Sequence, residues 1–345
     1  MHRISFINSE GDILKELNQL IIKNNLKKAY ILTDKNVYDI YHRQIKHFTD
    51  SLCVKNIIKI VDPGELSKSL ETVETIVEEL VLNFFQRDSL IINLGGGVIT
   101  DLGGFIASNY LRGIQYVNIP TTIIGQVDAS IGGKTAINMF GIKNNFGSFY
   151  KPLKVLIYDA FIKSLDEVEK ANGYGEIVKY SVLTGDKKLL KQDYTSIVKK
   201  CIDYKLNLVK KDLYDNNKRK YLNLGHTLGH GLETMSSLPH GISVYYGIIF
   251  ANFLAQSINL SNSSFQKEFI KETEETIEFK KYLKGANIYN IDIDSLVNVI
   301  SHDKKVKNNQ IEWILPIGWG KILCKEVERD RWIKALIDFI GSGFF

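Results

Sequence analysis

A glutamate and three histidines supply the residue types of a divalent-metal site. His226 and His230 stand at i and i+4, so a helix would place both imidazoles on one face, and His240 follows closely. Imidazole and carboxylate suit borderline divalent ions, and three protein ligands leave one position open for substrate or water. We predict a metal site from Glu176, His226 and His240, with His230 as a further candidate. A histidine taken alone is more often structural, and Glu176 with Lys179 could equally form a surface ion pair.

The segment Gln126–Thr135 combines groups that bind anionic, hydroxylated ligands. It contains a carboxylate at Asp128, two consecutive glycines and an ammonium at Lys134. The glycines let the backbone approach a ligand, the lysine donates from a cation, and the aspartate can accept from hydroxyls. Lys143 and Asn144 add a second cation and an amide shortly afterwards. We predict an anion-binding loop.

A second glycine-rich stretch, Leu94–Asp101, follows an apolar run and opens a helical one. Glycines at such a junction let backbone N–H groups approach a pyrophosphate at the helix N-terminus, although a tight turn alone could also require them. The spacing is not that of the usual dinucleotide fingerprint, which argues against an ordinary Rossmann dehydrogenase. Thr121 and Thr122, after the next apolar run, could meet a ribose or phosphate.

Further cations and amides would complete a site for an anionic ligand only if the fold brought them together. Taken singly, each is expected to be an ordinary surface residue; they are Lys205, Arg219, Asn223, Lys304 and Lys305.

The elements that must position these residues change character along the chain. The first part alternates helical stretches with short β-branched runs, which predicts βαβ units and a parallel sheet with ligands at its carboxyl edge. The predicted strands are Arg3–Ile7, Ala29–Leu32, Ile57–Val61, Ser89–Leu94, Tyr116–Ile119 and Val155–Tyr158.

After about Leu165 the sequence becomes mostly helical, with helices predicted through Asp166–Ser237 and Val244–Leu283 and one late strand at Ile311–Leu315. The fold class is therefore α/β: an N-terminal Rossmann-like parallel-sheet domain over residues 1–165, followed by a mostly α-helical C-terminal domain over residues 166–345.

Composition limits the functional class. The chain has 345 residues, is 44% hydrophobic, and carries a mild net charge of +5 without a concentrated basic patch, so nucleic acid is not an expected partner. We expect neither a membrane span nor a signal peptide, because no apolar run of the required length or pattern is found. Its three scattered cysteines predict a reducing compartment, and hence a cytoplasmic protein.

Several motifs, in order, carry a resemblance to a known family. They are Gly95-Gly96-Gly97-Val98, Tyr110-Leu111-Arg112-Gly113, Pro120-Thr121-Thr122, Gln126–Thr135, Lys143-Asn144, Gly175–Lys179, Leu222–His230, His240-Gly241 and Asp303-Lys304-Lys305. From about residue 30 to about residue 320 the chain resembles the 3-dehydroquinate synthase family, within the wider sugar-phosphate cyclases. Such a family is expected to act on a small phosphorylated sugar acid.

The resemblance implies which residues bind the metal ion and which bind the cofactor. It implies Zn²⁺, with Co²⁺ as an alternative, on Glu176, His226 and His240. It implies NAD as a catalytic cofactor that contacts Asp34, Asn36, Gly64, Glu65, Lys68, Gly96, Gly97, Val98, Asp101, Thr121, Thr122, Lys134, Lys143, Phe161 and Ser164. Residues 1–165 then form an NAD-binding domain, and residues 166–345 a metal- and substrate-binding domain.

The resemblance also implies how the substrate is handled. Catalytic roles fall to Asp128, Lys134, Lys179, Lys205 and His230. Substrate contacts fall to Arg112, Lys134, Asn144, Arg219, Asn223, Lys304 and Lys305. In the family Arg112 reaches in from a neighbouring subunit, which implies a homodimer. The implied reaction converts 3-deoxy-arabino-heptulosonate 7-phosphate into 3-dehydroquinate and phosphate through oxidation, phosphate elimination, reduction and aldol closure.

The sequence departs from the family at a few positions. Ile242 replaces a glutamate two residues after the His240 ligand, which would remove a carboxylate from the surroundings of the metal; the loop 231–239 is short; and Phe161–Ser164 replaces a threonine-rich segment. A paralogous cyclase with another sugar phosphate therefore stays open. So do a metal-dependent polyol dehydrogenase, which would accumulate NADH, and a nucleotide- or metal-binding regulator without turnover.

Overall fold

The computed structural model describes residues 3–283, 291–303 and 310–343. The chain divides between Leu165 and Asp166 into two compact units, Met1–Leu165 and Asp166–Phe345, which we call the sheet unit and the helical unit. Among the described residues, every helix is too short or too polar to cross a membrane.

The described part of the sheet unit has eight strands, and six of them make one parallel sheet of order β1-β8-β5-β4-β2-β3. The six predicted strands are confirmed, most of them extended by one to three residues. The strands are β1 (Ile4–Ile7), β2 (Lys28–Asp34), β3 (Lys55–Val61), β4 (Ser89–Gly95), β5 (Gln115–Pro120), β6 (Lys134–Met139), β7 (Ile142–Phe149) and β8 (Lys154–Tyr158).

Both faces of the sheet are covered, because successive residues of a strand point to opposite sides. Ala29 and Ile31 of β2 enter one apolar cluster, whereas Tyr30 and Leu32 enter the other. Helices α1 and α2 cover the first face, and α3 and α4 cover the second. Their bounds are α1 (Glu10–Lys23), α2 (Lys35–Ser51), α3 (Leu70–Leu82) and α4 (Gly97–Asn109).

The strand order places a topological switch between β2 and β4. These neighbouring strands lead into helices on opposite faces, α2 and α4, so a crevice opens at their carboxyl ends. In open α/β sheets ligands bind at such a crevice. The residues that border it are Asp34 at the end of β2 and Gly95–Gly97 after β4.

An antiparallel hairpin, β6–β7, occupies part of the stretch predicted as a loop. Met139 pairs with Ile142 across the two-residue turn Phe140–Gly141, and both turn residues have positive φ angles of 56° and 75°. Two positive φ angles characterise the turn that best matches the twist of a hairpin, and glycine favours its second position. Gly141 was the available signal. Lys134 therefore begins a strand.

Over its described residues the helical unit contains seven α-helices and one antiparallel hairpin. The prediction of a single late strand was incomplete, because that strand, β9, pairs with a second strand, β10. The apolar segment Tyr245–Leu254 is a buried helix, as predicted, but its helix begins already at His240, after Pro239, whose fixed φ suits a helix start. The elements are α5 (Glu167–Thr184), α6 (Tyr194–Lys211), α7 (His226–Met235), α8 (His240–Ser257), α9 (Ser263–Glu274), α10 (Ile293–Asp303), β9 (Gln310–Gly318), β10 (Lys321–Glu328) and α11 (Arg329–Gly341).

Candidate functional site

Three side chains of the helical unit converge on one point: Glu176 on α5, His226 on α7 and His240 on α8. Oε1 of Glu176 lies 3.4 Å from Nε2 of His226 and 3.2 Å from Nε2 of His240. Donor atoms about 2.0–2.2 Å from one tetrahedral ion lie about 3.4 Å from each other. The separations and the donor types therefore fit one divalent metal ion.

Each of the three side chains is held in place by an adjacent glycine at a helix contact. A Cβ on Gly175, beside Glu176, would lie under 3.0 Å from the backbone of Gly241, which itself adjoins His240. A Cβ on Gly225, beside His226, would lie equally close to the α8 backbone. Real Cβ atoms do not approach so closely, so only glycine lets α5 and α7 touch α8 backbone to backbone.

Glu176 and Lys179 form a buried ion pair, which excludes the alternative of a surface pair. Each side chain is 1% exposed, and the ammonium contacts Oε2 of the carboxylate. Burial opposes ionisation, but Lys179 and the imidazoles of His240 and His226 outweigh it and hold the pKa of the Glu176 carboxyl well below its usual range. The cluster therefore offers an ionised carboxylate at neutral pH.

The two imidazoles of the cluster differ in their surroundings. Burial lowers the pKa of His226 well below its ordinary value, and its Nδ1 lies 3.1 Å from the carbonyl of Leu224. Burial also disfavours a charged His240, yet its hydrogen bonds to Glu176 and Glu233 raise its pKa to about 10. Without a metal, His226 is neutral and His240 is protonated near pH 7.

This difference predicts a pH-dependent metal affinity. Below its pKa of about 10 the metal-free His240 keeps a proton that competes with the ion, so rising pH removes the competitor. We expect about one proton released per ion and an affinity that rises about tenfold per pH unit between about pH 7 and about pH 8.5. Co²⁺ titrations with an indicator dye measure both quantities. An affinity that is flat across this range would contradict the assignment.

The helix α7 adds two more polar side chains beside the cluster. The ring of His230 lies 5.3 Å from that of His226 and 6.0 Å from that of His240, centroid to centroid. Oε2 of Glu233 lies 3.0 Å from Nδ1 of His240. A carboxylate therefore stands next to this candidate ligand although Ile242, fully buried, replaces the expected one. Sequence analysis missed Glu233. Its i, i+4, i+7 spacing with His226 and His230 places all three side chains on one face of a helix and was the signal for it.

Two cations expected at the surface are in fact buried in the helical unit. Lys205 on α6 is 6% exposed and Arg219 is 2% exposed. The carboxylate of Asp212 accepts the backbone N–H of Arg219 at 3.1 Å and fixes the loop that leads to it, and the guanidinium donates to the Leu213 carbonyl at 2.6 Å. Asn223 is half-buried and is the last residue of the 3-10 helix Lys218–Asn223, which also contains Arg219. Lys304 and Lys305 lie outside the described residues.

In the sheet unit the N-terminus of α4 differs from those of the other helices of the unit. Ser9, Asp34 and Ser69 cap α1, α2 and α3 with their side chains, whereas Gly96 leaves the first turn of α4 without a side-chain cap. A Cβ on Gly96 would lie 3.0 Å from the methyl of Thr122, so the two predicted segments adjoin. Open N–H groups at the switch crevice suit the phosphates of a dinucleotide.

A polar network links four of the predicted contacts of the sheet unit. The buried ammonium of Lys68 donates to Asp101 at 2.8 Å and to the side-chain oxygen of Asn144. Asn138 of β6 accepts the backbone N–H of Asn144 at 2.8 Å and donates to the carboxylate of Glu65 at 2.8 Å. Sequence reasoning missed Asn138, which ties the segment after β3 to the hairpin.

The remaining predicted residues of the sheet unit lie in several places. Ser164 accepts from the Tyr41 hydroxyl at 2.7 Å, and the Tyr41 ring meets that of Phe161 edge-on. Asp128 lies in a π-helical turn at Gly125–Ala129, and Arg112 follows the far end of α4. Thr121 is buried. Other predicted contact residues lie in loops, at strand ends or at helix starts and are exposed or half-exposed: Asp34, Asn36, Gly64, Gly97, Val98, Lys134 and Lys143.

Family comparisons cover most of the chain. The family model described as 3-dehydroquinate synthase N-terminal matches residues 58–172, and the one described as 3-dehydroquinate synthase C-terminal matches residues 173–306. The predicted resemblance is thereby confirmed.

Individual proteins agree with the family models. A 3-dehydroquinate synthase of Alkaliphilus oremlandii is 38% identical over 86% of this chain and 84% of its own length, and one of Pyrococcus furiosus is 35% identical over 94% and 96%. A crystal structure of 2-deoxy-scyllo-inosose synthase with carbaglucose-6-phosphate, NAD⁺ and Co²⁺ shares the fold, with a TM-score of 0.84 at 21% identity over 97% of this chain and 96% of that one. The chain belongs to the 3-dehydroquinate synthase family.

Proposed function

We propose that this protein is a 3-dehydroquinate synthase, a phosphate-eliminating lyase that converts 3-deoxy-arabino-heptulosonate 7-phosphate into 3-dehydroquinate and phosphate. The observation that carries the proposal is the cluster of Glu176, His226 and His240 in a chain of this family. Lys179, Lys205 and Arg219 in the same unit support it, because ammonium and guanidinium groups suit a substrate that has a carboxylate and a phosphate.

The first part of the proposal concerns the cofactors. Glu176, His226 and His240 would hold Zn²⁺ or Co²⁺, and the switch crevice with Gly96 and Gly97 would hold NAD. When bound there, such an ion would supply polarisation of a substrate alcohol, and NAD would supply reversible hydride transfer without net formation of NADH. The transient ketone would acidify the neighbouring C–H bond of the substrate and so permit loss of phosphate.

The chain's own residues bind and orient the substrate. The planar guanidinium of Arg219 suits a carboxylate because its fork donates two parallel hydrogen bonds. We assign Lys134 and His230 to the phosphate and Asp128 to the hydroxyl groups. Lys179, which contacts the carboxylate of Glu176, is assigned a hydrogen bond to an oxygen of the substrate. Lys205, Asn144 and Asn223 are assigned further polar contacts.

We also propose a homodimer, because Arg112 is poorly placed to act within its own chain. It follows the C-terminal end of α4, whereas Gly96 and Gly97 lie at the N-terminal end, and thirteen helical residues span about 20 Å. Leu111 and Arg112 are both exposed and have positive φ angles of 49° and 65°, a strained conformation of the kind found at functional sites. A cytoplasmic location is proposed from the three free cysteines.

A phosphate-release assay tests the function. With NAD and Zn²⁺ or Co²⁺ supplied, the heptulosonate phosphate is expected to yield phosphate and 3-dehydroquinate in about equal amounts, without a net rise in NADH absorbance. Absence of phosphate release would refute the proposal. Release only from a hexose phosphate would identify a paralogous cyclase. Steady NADH formation on a simple polyol would identify a dehydrogenase, and NAD binding without any turnover would identify a regulator.

A further inference from the structure

His240 is the candidate ligand whose imidazole is held at both nitrogens by carboxylates. Its Nε2 lies 3.2 Å from Oε1 of Glu176, on the side where the ligand atoms converge, and its Nδ1 lies 3.0 Å from Oε2 of Glu233. With Nε2 directed at the ion, Nδ1 must carry the proton, and a carboxylate accepts it. The hydrogen bond to Glu233 thus selects the tautomer that a metal requires.

The two histidine ligands do not have equivalent partners. Nδ1 of His226 faces the neutral carbonyl of Leu224, whereas Nδ1 of His240 faces an anion. The side chain of His240 is also 28% exposed, against 12% for His226, so packing restrains it less. A charge-assisted hydrogen bond is the stronger restraint, and it falls on the ligand that needs one.

The position of Glu233 explains how the chain replaces a missing carboxylate. Ile242 on α8 is fully buried, and its side chain cannot supply one. Glu233 lies two helical turns after His226 on α7 and reaches His240 from the side opposite Glu176. Its side chain is 17% exposed, so the contact is partly shielded from water.

We propose that Glu233 is a positioning residue, which fixes the tautomer and orientation of His240 and thereby strengthens metal binding at the cluster. The proposal rests on the metal site of the proposed function. It assigns Glu233 no contact with the substrate.

Two substitutions separate the charge of Glu233 from its hydrogen bond. Glu233→Gln keeps an oxygen that can accept from Nδ1 of His240 but removes the charge, whereas Glu233→Ala removes both. We expect the dissociation constant for Zn²⁺ or Co²⁺, measured by chelator competition without substrate, to rise about tenfold in the first variant and about 100-fold in the second. The Co²⁺ absorption spectrum should change in the alanine variant, because the freed imidazole alters the coordination geometry.

A matched control is Glu268→Gln. Glu268 also accepts a ring N–H at 3.0 Å, from Trp319, but lies outside the metal cluster. The Glu268→Gln variant is expected to bind the metal with the same affinity as the unsubstituted protein. Glu233 variants that bind metal within twofold of the unsubstituted protein, or that only melt earlier without metal, would overturn the proposal, as would a protein that binds no divalent metal. Failure to form 3-dehydroquinate would instead overturn the proposed function alone and leave these affinity ratios intact.

Discussion

Replacing Glu176 with Gln is expected to reduce turnover about 10³-fold or more and to weaken divalent-metal binding severely. The substitution keeps the shape of the side chain but removes the negative charge at the centre of the cluster. A bound ion contributes several kcal/mol to a transition state, and about 1.4 kcal/mol corresponds to a factor of ten. Metal titration by chelator competition and the phosphate-release assay measure the two effects.

The same substitution should destabilise the metal-free protein. It leaves the buried ammonium of Lys179 without this carboxylate, and breaking a buried ion pair costs about 3–5 kcal/mol. Denaturant unfolding of the metal-free protein measures this loss.

The chain contains a close control for this experiment. Glu167 and Lys170 have the same i, i+3 spacing on the same helix, but their side chains are 76% and 35% exposed. Glu167→Gln is therefore expected to change stability by less than about 1 kcal/mol and to leave metal affinity unchanged. If both substitutions had equally small effects, the buried pair would not organise the site.

Replacing Gly241 with Ala is expected to destabilise the helical unit by about 3 kcal/mol or more and to abolish metal binding. The added methyl would lie under 3.0 Å from the backbone of Asn172 on α5, so the two helices must separate. Asn172 also accepts the backbone N–H of Gly241 at 2.7 Å, and this bond would be lost as they move apart. Overpacking against backbone cannot be relieved by a rotamer change. Thermal unfolding and metal titration give the two readouts.

Gly11→Ala is the matched control, because Gly11 is likewise the second residue of its helix. A Cβ there would meet only the hydroxyl of Ser9, at 3.8 Å. Alanine suits a helix better than glycine, so this variant should be as stable as the unsubstituted protein or slightly more so. A Gly241→Ala protein that unfolds like the Gly11→Ala protein and still binds metal would show that the helix contact is not needed.

Local sequence pattern was sufficient for most of the sheet unit. Each of the six parallel strands is a short run rich in β-branched residues, and the four inner strands β2, β4, β5 and β8 are largely buried. The hairpin β6–β7 was not predicted, because its residues were interpreted as ligand-binding groups of a loop and not as parts of strands. Its strand β7 is largely exposed and lacks an apolar face, so only the turn at Phe140–Gly141 marked it.

The structure brings the three predicted metal ligands together, but the burial of other predicted site residues differs from the expectation. The histidine spacing on α7 is a local property, and the metal cluster could be proposed from it together with the family resemblance. The burial of Lys205 and Arg219 depends on how distant helices pack, and a single charged residue is normally exposed. The contact between Glu233 and His240 joins two helices, so helix periodicity could place Glu233 on the right face without revealing its partner.

The backbone contacts at Gly175, Gly225 and Gly241 also limit which substitutions this protein can accept in evolution. Elsewhere in an interior, one enlarged side chain can be offset by a smaller neighbour, so composition can drift while volume is kept. A glycine that touches another backbone has no such neighbour, because main-chain atoms cannot be made smaller. We therefore expect each candidate ligand and its glycine to be retained together, and new substrate preferences to arise in surrounding loops rather than in these three helices.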